Sequence, residues 1–123
     1  MDTQHPFEAA LLFAKPFQWE VYARCRQWLM QTEPEAIERF SKSAVSYGLA
    51  RRFLWLVPIS GHHVLINFDL PLELSDPLLR PGKLPHARRY IHQMDVRDMA
   101  VLEQAIANGW LAAALDCGRG KMA

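Results

Sequence analysis

The chain has 123 residues, of which 50% are hydrophobic and 11% aromatic, so it is long enough for one domain with a buried core and too apolar for an intrinsically disordered segment. Its 14 basic and 13 acidic residues nearly balance, which does not favour binding of nucleic acid through overall charge. The first residues carry no basic start or apolar signal core, and no apolar run is long enough to cross a bilayer. We therefore expect a single cytoplasmic domain over residues 1–123 with no membrane partner.

Two helices are predicted at the start of the chain. Pro6 to Ala14 fits a short helix with apolar residues on one face. Pro16 fits the first turn of a second helix, because the N–H group that proline lacks would have no partner there. Apolar residues then recur at helical spacing through about Thr32, and the width of this stripe predicts that the second helix lies on a sheet.

From Ser43 onward the hydrophobic period changes to two, which indicates strands. The first strand is predicted to run from Ser43 to Leu49, whereas residues 36–41 fit either a helical turn or an irregular strand. Residues 53–59 are apolar at both alternating sets of positions, which is expected of a central strand with both faces covered. Because helices can cover one face only, the long loop, the first helix or a second copy of the chain would cover the other, and a homodimer is one expectation.

Ser60-Gly61 predicts a hairpin, and the strand after it alternates cleanly. Its even-numbered positions from Val64 to Leu70 are apolar and are expected to face the core. Asn67 and Asp69 fall on the other parity and are expected to face away from it.

A loop of residues 73–85 follows, and its length is typical of a functional or mobile segment. Residues 88–94 are predicted as the last strand. Asp95 or Asp98 can cap a final helix that ends near Gly118. Helices at both ends of an antiparallel run of about four strands predict an α+β two-layer sandwich.

Four motifs stand out along the predicted strands. They are Ser41-Lys42-Ser43-Ala44-Val45-Ser46-Tyr47, Arg52-Phe53-Leu54-Trp55, Ile66-Asn67-Phe68-Asp69-Leu70 and Arg89-Tyr90-Ile91-His92-Gln93-Met94. Together with the order of elements from about Pro16 to Ala114, these motifs resemble a bacterial family of domains of unknown function with the YdhG-like fold. None of the motifs is a catalytic signature, so the resemblance implies a fold more than a function.

Proteins with the YdhG-like fold are similar to frataxin, an iron chaperone, and this resemblance implies an alternative function as an iron-binding metal carrier. In that comparison, carboxylates on the first helix and the adjoining strand edge bind iron weakly. The carboxylates available in this chain are Glu20, Glu33, Glu35 and Glu38. Three arginines lie among them and would oppose a cation. The residues therefore predict no metal site, and no cofactor motif is present.

Nucleophilic catalysis needs a nucleophile, a base and an orienting group within hydrogen-bond reach. Ser43 beside Lys42, and His92 with Asp69 across the sheet, are the candidates. His92 shares its parity with Met94, so it fits either a hydrogen-bonded core histidine or the general base of a hydrolase or transferase. Because no complete catalytic signature is present, the residues favour binding over catalysis.

The segment between Lys42 and Arg97 holds eight basic and four acidic residues, which indicates an anion-binding face or a solvated surface. The candidate ligand-binding residues are Lys42, Ser43, Arg52, Trp55, Asp69, Arg89 and His92. We expect them to line a pocket between the sheet and the 73–85 loop. The chain is thus predicted to be a non-enzymatic binding or accessory domain for a small anion, a peptide or a protein partner. A nucleic-acid accessory domain is a further alternative, because aromatic side chains near these arginines offer stacking surface.

Overall fold

The structure, a computed structural model, describes residues 5–81, 84–86 and 89–120. The helices in these residues are α1 (Pro6–Leu12), α2 (Pro16–Thr32), α3 (Met99–Ala107) and α4 (Trp110–Gly118). The strands are β1 (Ile37–Phe40), β2 (Val45–Gly48), β3 (Arg52–Ser60), β4 (His63–Leu70), β5 (Leu84–His86) and β6 (Arg89–Val96). Within the described ranges, no helix combines the length and the apolar character that crossing a bilayer requires.

The described strands form one antiparallel sheet in the order β1-β2-β3-β4-β6-β5. The predicted α+β class is confirmed, but the described residues contain six strands where about four were expected. The additional strands, β1 and β5, are the two edges of the sheet and have only four and three residues. Such short segments show too few alternations for a period of two to be recognised. Residues 36–41, which also fitted a helical turn, therefore contain a strand.

Helices pack on one face of the sheet, which we call the helix face; the opposite side is the polar face. Phe68 of β4 lies on the helix face and stacks on Trp110 of α4, with ring centroids 6.3 Å apart. Ile66 lies on the same side and is fully buried in the core. Asn67 and Asp69 alternate with these residues along β4 and therefore lie on the polar face. The prediction of which β4 residues face the core and which face away from it is confirmed.

The C-terminal segment, predicted as one helix, is two helices separated by Asn108 and Gly109. Gly109 has a φ of 78°, in the left-handed region that glycine adopts without a steric penalty. Asp98 caps α3, because its side chain accepts a hydrogen bond of 2.8 Å from the Ala100 N–H. Both helices place apolar residues such as Leu102 in the core, so the break redirects the chain without exposing its apolar stripe.

The long loop is attached to the edge of β6 along its described part, residues 73–81 and 84–85. Leu79 forms an isolated bridge with Met94, and the Arg80 N–H donates to the Gln93 carbonyl over 2.8 Å. Leu79 is buried in the core, so this part of the loop completes the sheet edge. The last strand was predicted over 88–94 and is observed at Arg89–Val96, whereas Arg88 and loop residues 82–83 lie outside the described residues.

Candidate functional site

A cavity of about 270 Å³ opens on the polar face, and we call it the polar-face cavity. Its described lining residues are Arg52, Trp55, Asp69, Arg89 and Ile91. Three adjacent strands supply them, because β4 lies between β3 and β6. Four of the five were predicted as site residues from the sequence. Ile91 was not, although it shares the parity of Arg89 and pairs directly with Asp69.

A buried ion pair forms one wall of the polar-face cavity. Arg89 Nη1 donates to Asp69 Oδ2 over 2.7 Å, and the two side chains are only 8% and 3% exposed. The same nitrogen lies 3.4 Å from the Arg52 carbonyl oxygen. Arg89 Nε is buried without a hydrogen-bond partner among the described residues, and Nη2 donates to none of them. The guanidinium of Arg89 therefore keeps donor capacity beyond its pair with Asp69.

A second guanidinium lies at the rim of the polar-face cavity. Arg52 Cζ lies 4.1 Å from the centroid of the Trp55 ring, within the range of a cation–π contact. Stacking on the ring face orients the planar group without using its N–H donors, and Arg52 donates no side-chain hydrogen bond to a described residue. Two arginines and one carboxylate thus face the same small space, for a formal charge of about +1.

Lys42 and Ser43 lie away from the polar-face cavity, in the turn that joins β1 to β2. This turn is closed by a hydrogen bond of 2.9 Å from the Ser41 N–H to the Ala44 carbonyl, so β2 begins two residues later than predicted. Both side chains are exposed, and they line a separate groove of about 580 Å³ beside α1. The predicted grouping of these two residues with Arg52 is therefore not what the fold produces.

His92 lies on the helix face, fully buried, and stacks on Phe68 with ring centroids 5.7 Å apart. Its Nε2 accepts a hydrogen bond of 3.0 Å from the Leu74 N–H, and its Nδ1 lies 2.9 Å from the Tyr90 carbonyl oxygen. Because Nε2 accepts, the ring is neutral and carries its proton on Nδ1. The geometry is that of the core histidine, one of the two alternatives predicted. The expected pairing with Asp69 is wrong, because that residue lies on the polar face.

Asp95 forms a second polar cluster, which the sequence did not predict, on the polar face. Its Oδ1 lies 2.6 Å from His63 Nε2, and Arg80 donates to both carboxylate oxygens over 2.7 and 2.8 Å. The hydrogen bonds from Arg80, and then from His63, lower the pKa of Asp95 to about 2. This carboxylate is therefore ionised at neutral pH and is engaged within the sheet. Asp95 lies inside β6, and Asp98, directly before α3, is the residue that caps that helix.

Thiol chemistry and metal binding are two further possibilities. Cys25 and Cys117 are free and buried. Burial raises the pKa of Cys25 to about 12 and that of Cys117 above its usual value, so both thiols are protonated and unreactive at neutral pH. Across the described part of the chain, no three His, Cys, Asp or Glu side chains are grouped so that they could hold a metal ion.

Comparison with known proteins gives a family but no characterised relative. No curated protein and no solved structure matches the chain significantly. One family matches residues 9–117, which include all the described strands and every described residue that lines the polar-face cavity. Because this match spans most of the sequence, the chain belongs to the family described as Domain of unknown function (DUF5655).

Proposed function

We propose that the protein is a small-anion-binding domain whose polar-face cavity holds a carboxylate or phosphate group. The observation that carries this proposal is the guanidinium of Arg89. It is buried, it is neutralised on one side by Asp69, and its Nε and Nη2 donate to no described residue. Donors in such a position have a large desolvation penalty that an anionic acceptor would relieve.

Arg52 supplies the second half of the proposed site. Its stacking on Trp55 fixes the plane of the guanidinium at the cavity rim, so both arginines can donate to one bound group. Planar guanidinium groups match the oxygen geometry of carboxylates and phosphates and can bind them through two parallel hydrogen bonds. A volume of about 270 Å³ favours a small ligand, or one acidic group of a peptide or protein partner, over a whole nucleotide.

Binding rather than turnover is the function that we propose. The described lining of the polar-face cavity offers N–H donors, an aromatic ring and Ile91, with Asp69 already held by Arg89. These groups recognise and orient an anion. Of the other predicted site residues, His92 is committed to the Leu74 N–H on the opposite face of the sheet.

The test is thermal unfolding with sodium phosphate and with sodium acetate, each against sodium chloride at equal ionic strength to control for screening. A ligand at about a hundred times its Kd adds about 2.7 kcal/mol of stability, which raises the Tm by several degrees in a domain of this size. Arg52→Gln should abolish the shift produced by phosphate. Arg51→Gln, which makes the same change of charge at the neighbouring position outside the cavity lining, should retain it. A shift that is equal in both variants would refute the assignment.

The fold supports a further, structural part of the proposal. We propose that the family shares the YdhG-like architecture and is bacterial and cytoplasmic, supported by the order of helices around an antiparallel sheet and by two free cysteines. The frataxin-like iron carrier is the alternative, and a titration with ferrous iron monitored by calorimetry tests it. A homodimer through the polar face is tested by the mass in solution at micromolar concentration, where a monomer would exclude it.

A further inference from the structure

A second cavity, of about 320 Å³, lies between α2 and the start of β1, and we call it the α2–β1 cavity. Its described lining residues are His5, Arg26, Met30, Pro34, Ala36, Ile37 and Glu38. None of them lines the polar-face cavity. The two spaces can therefore be tested separately, and the inference drawn below does not rest on the proposed function.

Glu38 is held in place at the wall of the α2–β1 cavity by three donors. The phenol groups of Tyr22 and Tyr47 donate to its Oε2 over 2.9 and 2.8 Å, and Arg26 Nε donates to the same oxygen over 3.2 Å. Burial, and then the charge of Glu38, holds the pKa of Tyr47 well above its usual range, so this phenol remains a donor. The Glu38 side chain is 7% exposed, and these hydrogen bonds fix its position.

Arg26 uses only part of its donor capacity in this cluster. The residue is 8% exposed, and its Nε donates to Glu38. Its Nη1 and Nη2 donate to none of the described residues, and Arg26 lines the α2–β1 cavity. Two parallel N–H donors in one plane form the fork that binds a carboxylate through both oxygens.

Besides Arg26, Glu38 and His5, the described lining of the α2–β1 cavity is apolar. Met30 comes from α2, whereas Pro34, Ala36 and Ile37 come from the turn and the first residue of β1. Ile37 is 49% exposed, which leaves a large apolar side chain at the mouth of the cavity. A ligand that fills this space would meet the guanidinium of Arg26 at one end and aliphatic side chains along part of the wall. The volume lies in the lower range of small-molecule sites.

From this juxtaposition we infer that the α2–β1 cavity binds a short-chain aliphatic monocarboxylate, with its head group on the Arg26 fork and its hydrocarbon tail against Met30 and Ile37. The pair with Glu38 uses Arg26 Nε, and Glu38 also accepts from Tyr22 and Tyr47, so Nη1 and Nη2 of Arg26 are available for a second carboxylate. A phosphate or another compact dianion would leave the aliphatic walls unfilled, which distinguishes this site from the polar-face cavity.

The test is a two-dimensional amide NMR titration of the full chain with acetate, butanoate and hexanoate, and with hexanol as the uncharged control. Hexanoate should shift the amides of Met30 and Ile37 in a saturable way. The affinity should increase about fourfold for each added methylene that becomes buried, the equivalent of about 0.8 kcal/mol. Affinity that is independent of chain length, or hexanol that binds as tightly as hexanoate, would overturn the inference.

Variants of Arg26 test whether its guanidinium binds the carboxylate head group. Arg26→Gln should weaken hexanoate binding at least tenfold, while Arg24→Gln, which removes a partly exposed arginine of the same helix paired with Glu103, should leave it unchanged. If Arg26→Gln does not fold, Arg26→Lys keeps the charge beside Glu38 and removes the fork, and the same loss of affinity is expected. Full hexanoate affinity in the folded Arg26 variant, or shifts confined to the polar face, would disprove the site.

Discussion

Replacing Asp69 with asparagine is expected to destabilise the fold and strengthen anion binding at the same time. The carboxylate and the Arg89 guanidinium are 3% and 8% exposed and 2.7 Å apart, so the substitution leaves a buried positive charge without its counter-ion. Breaking such a pair from one side costs about 3–5 kcal/mol. Asparagine can still accept one hydrogen bond from Nη1, so we expect a value near the lower end, about 3 kcal/mol. Urea unfolding measures this loss of stability, provided that the m value is the same for the variant and the wild type.

The same substitution raises the formal charge of the polar-face cavity from about +1 to about +2. Phosphate should therefore bind about tenfold more tightly to Asp69→Asn, which corresponds to about 1.4 kcal/mol, and should restore part of the lost stability. Asp116→Asn is the matched control, because Asp116 is 53% exposed in its pair with Arg119 and should change stability by less than about 1 kcal/mol. A stable Asp69→Asn protein, or one that binds phosphate more weakly than the wild type, would refute the reasoning about the site.

Three further predictions concern residues outside the cavities. His92→Phe removes the acceptor for the buried Leu74 N–H and should lower stability by about 1–3 kcal/mol, whereas His92→Gln, which keeps an acceptor, should lose less in the same urea assay. The pKa of Asp95 is about 2 in the folded protein and near 3.8 in the unfolded chain, so its contribution to the free energy of unfolding is present above about pH 4 and lost as the pH falls towards 2. The stability difference between wild type and Asp95→Asn should therefore shrink over that interval, and a constant difference would contradict the prediction. A thiol reagent at neutral pH should modify neither Cys25 nor Cys117 until denaturant is added, and rapid labelling of the native protein would contradict their burial.

The sequence predicts most of the central elements because their patterns are long. The alternation along β4 assigns eight residues to two faces, and both faces are as expected. The break at Gly109 was not predicted, because a single glycine inside an apolar helical pattern is compatible with a continuous helix. Short edge strands such as β1 take their conformation from pairing with a neighbour, here Ile37 with Gly48, and local sequence does not determine that pairing.

The sequence predicts only part of the candidate site, and the part that it does not predict depends on the pairing register between strands. Arg52 and Trp55 are three residues apart, so a strict period of two would place them on opposite faces, and an irregularity in the β2–β3 pairing at Arg52 accompanies their contact. Whether Asp69 pairs with Ile91 or with His92 depends on the long connection between β4 and β6. A shift of one residue exchanges the two faces of a strand. The observed register puts Ile91 in the polar-face cavity and His92 in the core. Local periodicity cannot supply this information, because it is fixed by contacts across the whole sheet.

The two cavities share a construction that argues for ligand binding over structural support. In each, a buried carboxylate holds one edge of a buried arginine and leaves other N–H groups of that arginine without a described acceptor. Stability alone does not favour such pairs, since their replacement by apolar residues of similar volume is often neutral or stabilising by about 1–4 kcal/mol. We therefore expect the double variant Asp69→Leu with Arg89→Met to unfold at the same or a higher urea concentration than the wild type and to show no response to phosphate. A double variant that is less stable by several kcal/mol would instead assign the pair to the fold.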